Sequence, residues 1–264
     1  MDFSKAILLG ILQGLTEFFP VSSSGHLAVM QQILGVRGPV LFMDVMLHTG
    51  TLIAVLIVFA KDIRLVLLSM FSKGGGDSPG SARLGWLAVL GTIPIGIAGI
   101  VFHKWIERSF EIIPLVGGMF LITGILLFSV RKREGGRREE ELRVRDALWV
   151  GICQAVALLP GISRSGTTIG SGLLLGIERE LAVRFSFLMA IPAIIGALAL
   201  KLFDLPGQTQ TIGIGPVLVG TAAAVLMGYV GLKWLIRLTI SGKLYYFAYY
   251  LWALGLVVLL TFLF

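Results

Sequence analysis

Several stretches of this chain carry no Asp, Glu, Lys or Arg, among them Leu84–Phe102, Ile112–Val130, Leu205–Leu232 and Leu244–Phe264. Each is about 19 residues or longer, enough for an α-helix to cross a ~30 Å hydrocarbon layer. Inside lipid the backbone must satisfy its own polar groups, so runs of this kind fold as helices. The composition agrees, with 56% hydrophobic and 14% charged residues, where a soluble domain carries roughly a quarter charged. The expected class is an all-α, multi-pass membrane protein forming one integral-membrane domain over 1–264. The formal charge of +7 does not mark a nucleic-acid binder, because its basic residues flank the spans and show no aromatic interleaving. The single Cys153 excludes an internal disulfide and any multi-cysteine metal site. The first apolar run, Ala6–Phe19, has only Lys5 as a basic flank and no small-residue cleavage pattern, so it reads as retained sequence.

The chain also repeats itself. "GILQ" at Gly10–Gln13 returns as "GICQ" at Gly151–Gln154, and "VSSSG" at Val21–Gly25 returns as "ISRSG" at Ile162–Gly166, both at an offset of 141. Farther on, Gly91–Thr92 matches Gly220–Thr221, Gly99 matches Gly228, and Lys104–Trp105 matches Lys233–Trp234, all at an offset of 129. Two collinear sets with constant offsets indicate a duplication: repeat 1 over about 1–130, a loop at 131–146, and repeat 2 over about 147–264. The change in offset fits a longer connection in the first half at Phe71–Arg83.

Each half begins with a short apolar helix, about Phe3–Phe19 or Asp146–Leu159. A Pro/Ser/Gly break follows, Pro20–Gly25 or Pro160–Gly166, and then a second short helix, about Ser24–Leu34 or Gly166–Gly176. Neither piece spans alone, so both read as re-entrant hairpins whose irregular backbone is covered by protein or faces a water-filled space. Three spans follow in each half, about 40–60, 84–103 and 112–130, then 181–200, 213–235 and 245–264. An odd number of spans inverts the second half relative to the first. Of the 22 Lys and Arg, five (Lys5, Arg37, Lys104, Arg108, Lys201) fall on the face of the termini, Arg164 lies between the faces, and sixteen fall on the other. The richer face, with 61–83, 131–146, 177–184 and 233–243, is therefore expected to be cytoplasmic and both termini extracytoplasmic. The hairpins then enter from opposite sides and bring their tips together near the midplane.

Those tips, "TEFFPVSSSGHL" at Thr16–Leu27 and "LLPGISRSGTT" at Leu158–Thr168, gather most of the polar chemistry of an apolar chain. Each is the N-terminus of a short helix, where free N–H groups and the helix dipole attract anions. Ser22, Ser24, Gly25, Ser163, Ser165, Gly166 and Thr167 offer donors, and Arg164 offers a planar fork matched to phosphate oxygens. The serines equally suit plain helix capping. Glu17 and Arg164 are ionisable residues at membrane depth, which marks them as functional. His26 follows Ser23 by three residues, so the pair suits a nucleophile and its base, while an imidazole there equally serves as phosphate ligand or cap. Asp44 and His48, at i and i+4, either line an opening or bond each other, and His103 suits a solvated span end. No P-loop or HExxH pattern is present.

At "QGLTEFFPVSSSGHL" and "PGISRSGTT" the chain resembles the bacterial undecaprenyl-diphosphate phosphatase family linked to bacitracin resistance, and the likeness runs over essentially its whole length. The resemblance implies an integral plasma-membrane hydrolase that turns undecaprenyl diphosphate into undecaprenyl phosphate and inorganic phosphate, recycling the lipid carrier of peptidoglycan synthesis. It implies catalytic roles for Glu17, Ser23, His26 and Arg164, either with Ser23 as nucleophile and His26 or Glu17 as base, or with Ser23 as a ligand while His26 activates water. It also implies help from a divalent cation, Mg²⁺ or Ca²⁺, near Gln13 and Glu17, although Gln13 stands where a second carboxylate is found in other members. A secondary transporter or lipid flippase is the rival class, since inverted repeats and broken helices belong to it too.

Overall fold

The computed structural model describes residues 2–35, 41–71, 79–204 and 213–263. The Gly-rich linker at 72–78, Arg37 and the 205–212 connection lie outside the described residues. Before the 131–146 loop come α1 (Phe3–Phe18), α2 (Ser23–Ile33), α3 (Leu41–Val58), α4 (Ala60–Phe71), α5 (Pro79–Val101), α6 (His103–Ser109) and α7 (Ile113–Ser129). Then come α8 (Val144–Val156), α9 (Arg164–Leu174), α10 (Arg179–Asp204), α11 (Ile214–Ile240) and α12 (Tyr246–Leu263). Among the described residues there is no strand, only an isolated bridge between Arg137 and Ile177. Helices α3, α5, α10 and α11 are long and apolar enough to cross a membrane. α6 and α7 qualify only as a pair, bent by 96°, and α12 is apolar but shorter, so the described residues give four spans, or five with the bent pair, where six were expected.

Both breaks have local causes. Phe19, held in an extended conformation (ψ 144°) before Pro20, ends α1, because the pyrrolidine ring disfavours helical geometry in the preceding residue. The Ser22 side chain then caps α2 by accepting from the Gly25 amide. In the second hairpin Pro160 and Gly161 (φ +97°) make the turn, and the Ser163 side chain caps α9 by accepting from the Gly166 amide at 3.1 Å.

The packing joins the two halves of the chain: α1 lies against α11, α8 lies against α5, and α7 and α12 pack on each other, an arrangement consistent with the expected repeat. Glycines from the matched segments make two of these crossings. A Cβ on Gly10 would sit 2.2 Å from the Gly220 carbonyl oxygen, and one on Gly151 would sit 2.1 Å from that of Gly91. Small residues permit such close backbone approach, which drives helix association where lipid removes the hydrophobic incentive.

A connecting segment departs from the expectation too. Residues 61–83 were expected only to connect spans, but α4 occupies Ala60–Phe71 directly after α3. Lys61, Asp62 and Arg64 in its first turns keep it out of any charge-free run. Val66 and Met70 pack on Gly85 of α5, while Leu65, Leu67, Leu68 and Phe71 remain exposed, as suits a helix lying along the bilayer surface. On the same side Arg184 joins α4 to the 131–146 loop, its Nη1 on Glu139 at 2.9 Å and its Nε 2.6 Å from Asp62, an ion pair too bent for a hydrogen bond. Arg137 holds Asp146 at 2.5 Å and donates to the Leu175 and Glu141 carbonyls.

Candidate active site

The two tips touch. The Gly161 amide donates to Ser22 Oγ at 3.1 Å, Ser165 Oγ donates to the Phe19 carbonyl at 3.3 Å, and Arg164 forms an ion pair with Glu17 Oε1. Glu17 and Arg164 are 147 residues apart in sequence and meet because the last turn of α1 lies against the start of α9. The other carboxylate oxygen, Oε2, accepts from Ser23 Oγ at 2.5 Å and from Gln13 Nε2 at 3.0 Å. Glu17 is buried, so its charge is offset by one guanidinium and two hydrogen bonds, as a buried ion requires.

Capping consumes only part of each helix terminus. Gly25 and Gly166 amides are used by the serine side chains and His26 and Thr167 amides by the Ser22 and Ser163 carbonyls. The first two amides of each helix, at Ser23, Ser24, Arg164 and Ser165, have no intrahelical acceptor, as at any helix start. Ser22 also sits at φ +69°, the one described non-glycine with positive φ, a strained geometry that the cap and the Gly161 bond hold in place.

A cavity of about 150 Å³ opens beside these groups. Its polar wall is Glu17, Ser22, Ser23, Ser24, Ser163 and Arg164, joined by Thr16, His48 and Lys201. Its apolar wall runs along one face of α10, Ala193, Ile194, Ala197 and Leu198, with Ile95 of α5 and Ala157, Leu158 and Ile162 of the second tip. An anion held by Arg164 would thus carry a greasy tail along α10.

Not all expected residues reach the cavity. His26 does not meet Ser23: its Nδ1 bonds the Ser22 carbonyl at 2.8 Å and its Nε2 bonds the Tyr250 hydroxyl at 2.7 Å, with the ring against Phe120. Both nitrogens are occupied, so His26 ties α2 to α12. Ser165, Gly25, Gly166 and Thr167 stand behind the cavity wall. Sequence reasoning missed Lys201 and left His48 undecided. His48 Nε2 lies 3.9 Å from Glu17 Oε2, and its Nδ1 bonds the backbone carbonyl of Asp44 at 2.8 Å, while the Asp44 carboxylate accepts from Gln31 at 3.0 Å.

For a divalent cation, the described residues hold no group of three or more His, Cys, Asp or Glu able to ligate a metal. Gln13 is fully buried, its Nε2 on Glu17 and its Oε1 unpartnered, so one orphaned oxygen sits on the amide next to Glu17. This donor set suits a cation that arrives on a diphosphate and keeps phosphate and water ligands; it is no all-protein cage.

Helices broken at their tips, a buried Ser–Glu–Arg cluster and an apolar wall define a polytopic membrane protein built to hold a lipid-linked anion. Residues 6–257 match the family model of the bacitracin resistance protein BacA. The chain is 45% identical to the undecaprenyl-diphosphatase of Desulfosudis oleivorans, covering 98% of both chains. It is 41% identical to the protein of that name from Carboxydothermus hydrogenoformans, covering 98% of this chain and 97% of that one. Against the protein of that name from Methanobrevibacter smithii the identity is again 41%, with the same coverage. The chain belongs to the bacitracin resistance protein BacA family.

Proposed function

We propose that this protein is a bacterial plasma-membrane undecaprenyl-diphosphatase, which hydrolyses the terminal phosphoanhydride and returns undecaprenyl phosphate for peptidoglycan synthesis, thereby supporting bacitracin resistance. The observation that carries it is Glu17, bonded through one oxygen to Ser23 and through the other to Arg164. Phosphoryl transfer asks mainly for positioning and charge neutralisation, and this cluster offers both.

The terminal phosphoryl group is held by the Arg164 guanidinium and by the Ser23, Ser24 and Arg164 amides at two helix N-termini. Ser23 Oγ attacks its phosphorus as Glu17 Oε2 takes the serine proton. The bond to the bridging oxygen breaks, and lipid monophosphate leaves with that proton. Water then attacks the phosphoserine, its proton passing through Glu17 to Ser23 Oγ, and inorganic phosphate departs. Glu17, with Gln13 beside it, would hold a Mg²⁺ or Ca²⁺ that arrives on the diphosphate, and the ion would supply charge neutralisation. His26 serves as a positioning residue. Both termini are extracytoplasmic in this reading, so the Lys201 end of the cavity lining lies toward the outer face.

The test is Ser23→Ala in purified protein. Turnover should fall by at least about 10³-fold with nearly unchanged substrate affinity, because the lost atom acts in the transition state. Retention of most turnover by Ser23→Ala, with Glu17→Gln inactive, would replace the serine by direct water attack.

A further inference from the structure

His48 is a cavity-lining imidazole with no part in the steps above. Its orientation is fixed by the backbone: the Asp44 carbonyl can only accept, so the Nδ1 at 2.8 Å carries the hydrogen. Nε2 therefore presents its lone pair to the cavity, 3.9 Å from Glu17 Oε2. That distance is too long for a hydrogen bond and right for one bridged by an oxygen atom. Both bridged atoms are acceptors, and a water molecule has two hydrogens to give. A water ~2.8 Å from each would subtend about 90° between them, close to its own bond angle, with its lone pairs turned outward.

Glu17 Oε2 is also the oxygen that accepts from Ser23 Oγ. Once Ser23 is phosphorylated its Oγ has no hydrogen to donate, and that acceptor position opens beside the new phosphate ester. We propose that His48 is a further positioning residue of the reaction: with Glu17 it seats the water that hydrolyses the phosphoserine, which rests on the covalent reading above. The water oxygen forms the new bond to phosphorus, the phosphorus–Oγ bond breaks, and the water proton passes through Glu17 to Ser23. His48 accepts a hydrogen bond throughout and keeps its own proton. Glu17 on α1 and Lys201 on α10 are the charged groups that face it, with Asp44 on its own helix.

Two substitutions separate this role from a structural one. His48→Asn keeps a donor for the Asp44 carbonyl but cannot reach the Nε2 position, whereas His48→Gln places an amide there. The experiment is rapid-quench kinetics of purified protein with a polyprenyl diphosphate, following lipid monophosphate and inorganic phosphate separately. His48→Asn should form one equivalent of lipid monophosphate at the wild-type rate, then release inorganic phosphate about 10²-fold more slowly, the scale set by misplacing a reactant by about 1 Å. Phosphoserine at Ser23 should accumulate, and His48→Gln should recover most of the loss. Equal slowing of both phases, no slowing at all, or slow release without phosphoserine would each overturn the proposal. A wild-type protein that releases no phosphate would instead remove the hydrolase reading.

Discussion

Replacing Arg164 by lysine separates charge from geometry at the centre of the site. The guanidinium bonds Glu17 Oε1, reaches toward the Ala190 carbonyl at 3.5 Å and still lines the cavity. A lysine ammonium keeps the charge beside Glu17 but offers no planar fork. One charged hydrogen bond is worth about 1.5–3 kcal/mol. Losing one such contact to the transferring phosphoryl group should slow turnover by about 10- to 150-fold. Stability should change little, because Glu17 keeps a counter-ion. Arg164→Ala, by contrast, strands a buried carboxylate, which costs about 3–5 kcal/mol. Turnover and thermal unfolding of the three proteins, measured in one detergent, test the argument. A lysine variant within about threefold of wild type, less than the loss of one such bond predicts, refutes the fork; an alanine variant as stable as the lysine variant refutes the pairing.

Gly151→Ala drives a methyl group against the Gly91 backbone, which cannot yield, so unfolding in detergent should show a loss at the upper end of about 1–3 kcal/mol. Gly118→Ala, with nothing within 4 Å of its added Cβ, should be neutral or slightly stabilising. At the loop–α8 junction, burial pushes the Asp146 carboxyl up, but the Arg137 hydrogen bond and the Arg143 amide outweigh it and hold its pKa below the usual value. A carboxylate with a depressed folded pKa contributes stability above its unfolded value, and that contribution fades as pH falls through the folded one. Asp146→Asn should therefore cost about 1–3 kcal/mol at neutral pH, and the gap to wild type should close in melts taken well below pH 3.8. For topology, Arg138→Cys in a Cys153→Ser background should label only after the membrane is opened, whereas a cysteine at residue 2 should label in intact cells; the reverse pattern would invert the assignment.

The helical membrane class was legible because lipid imposes it residue by residue: charge-free runs must be helical. The pairing of Glu17 with Arg164 is the contact that two meeting tips were expected to make. What sequence could not supply was direction around a helix. The spacing of Ser23 and His26 suited a catalytic pair, yet the imidazole points to Tyr250, 224 residues away, and no local pattern encodes that partner. His48 faces Glu17 only because α3 packs on α1 and α11. Helix α4 was hidden because surface helices keep charges that a search for spans rejects.

The central claim is that two broken helix tips form one phosphohydrolase site. It is tested most directly by giving purified protein in vesicles a polyprenyl diphosphate labelled in its terminal phosphate. The account predicts that label enters the water phase as inorganic phosphate, matched mole for mole by lipid monophosphate, and that Ser23→Ala and Glu17→Gln abolish this. Label that stays on intact diphosphate while the lipid moves between leaflets would contradict it and make the same cavity a carrier's.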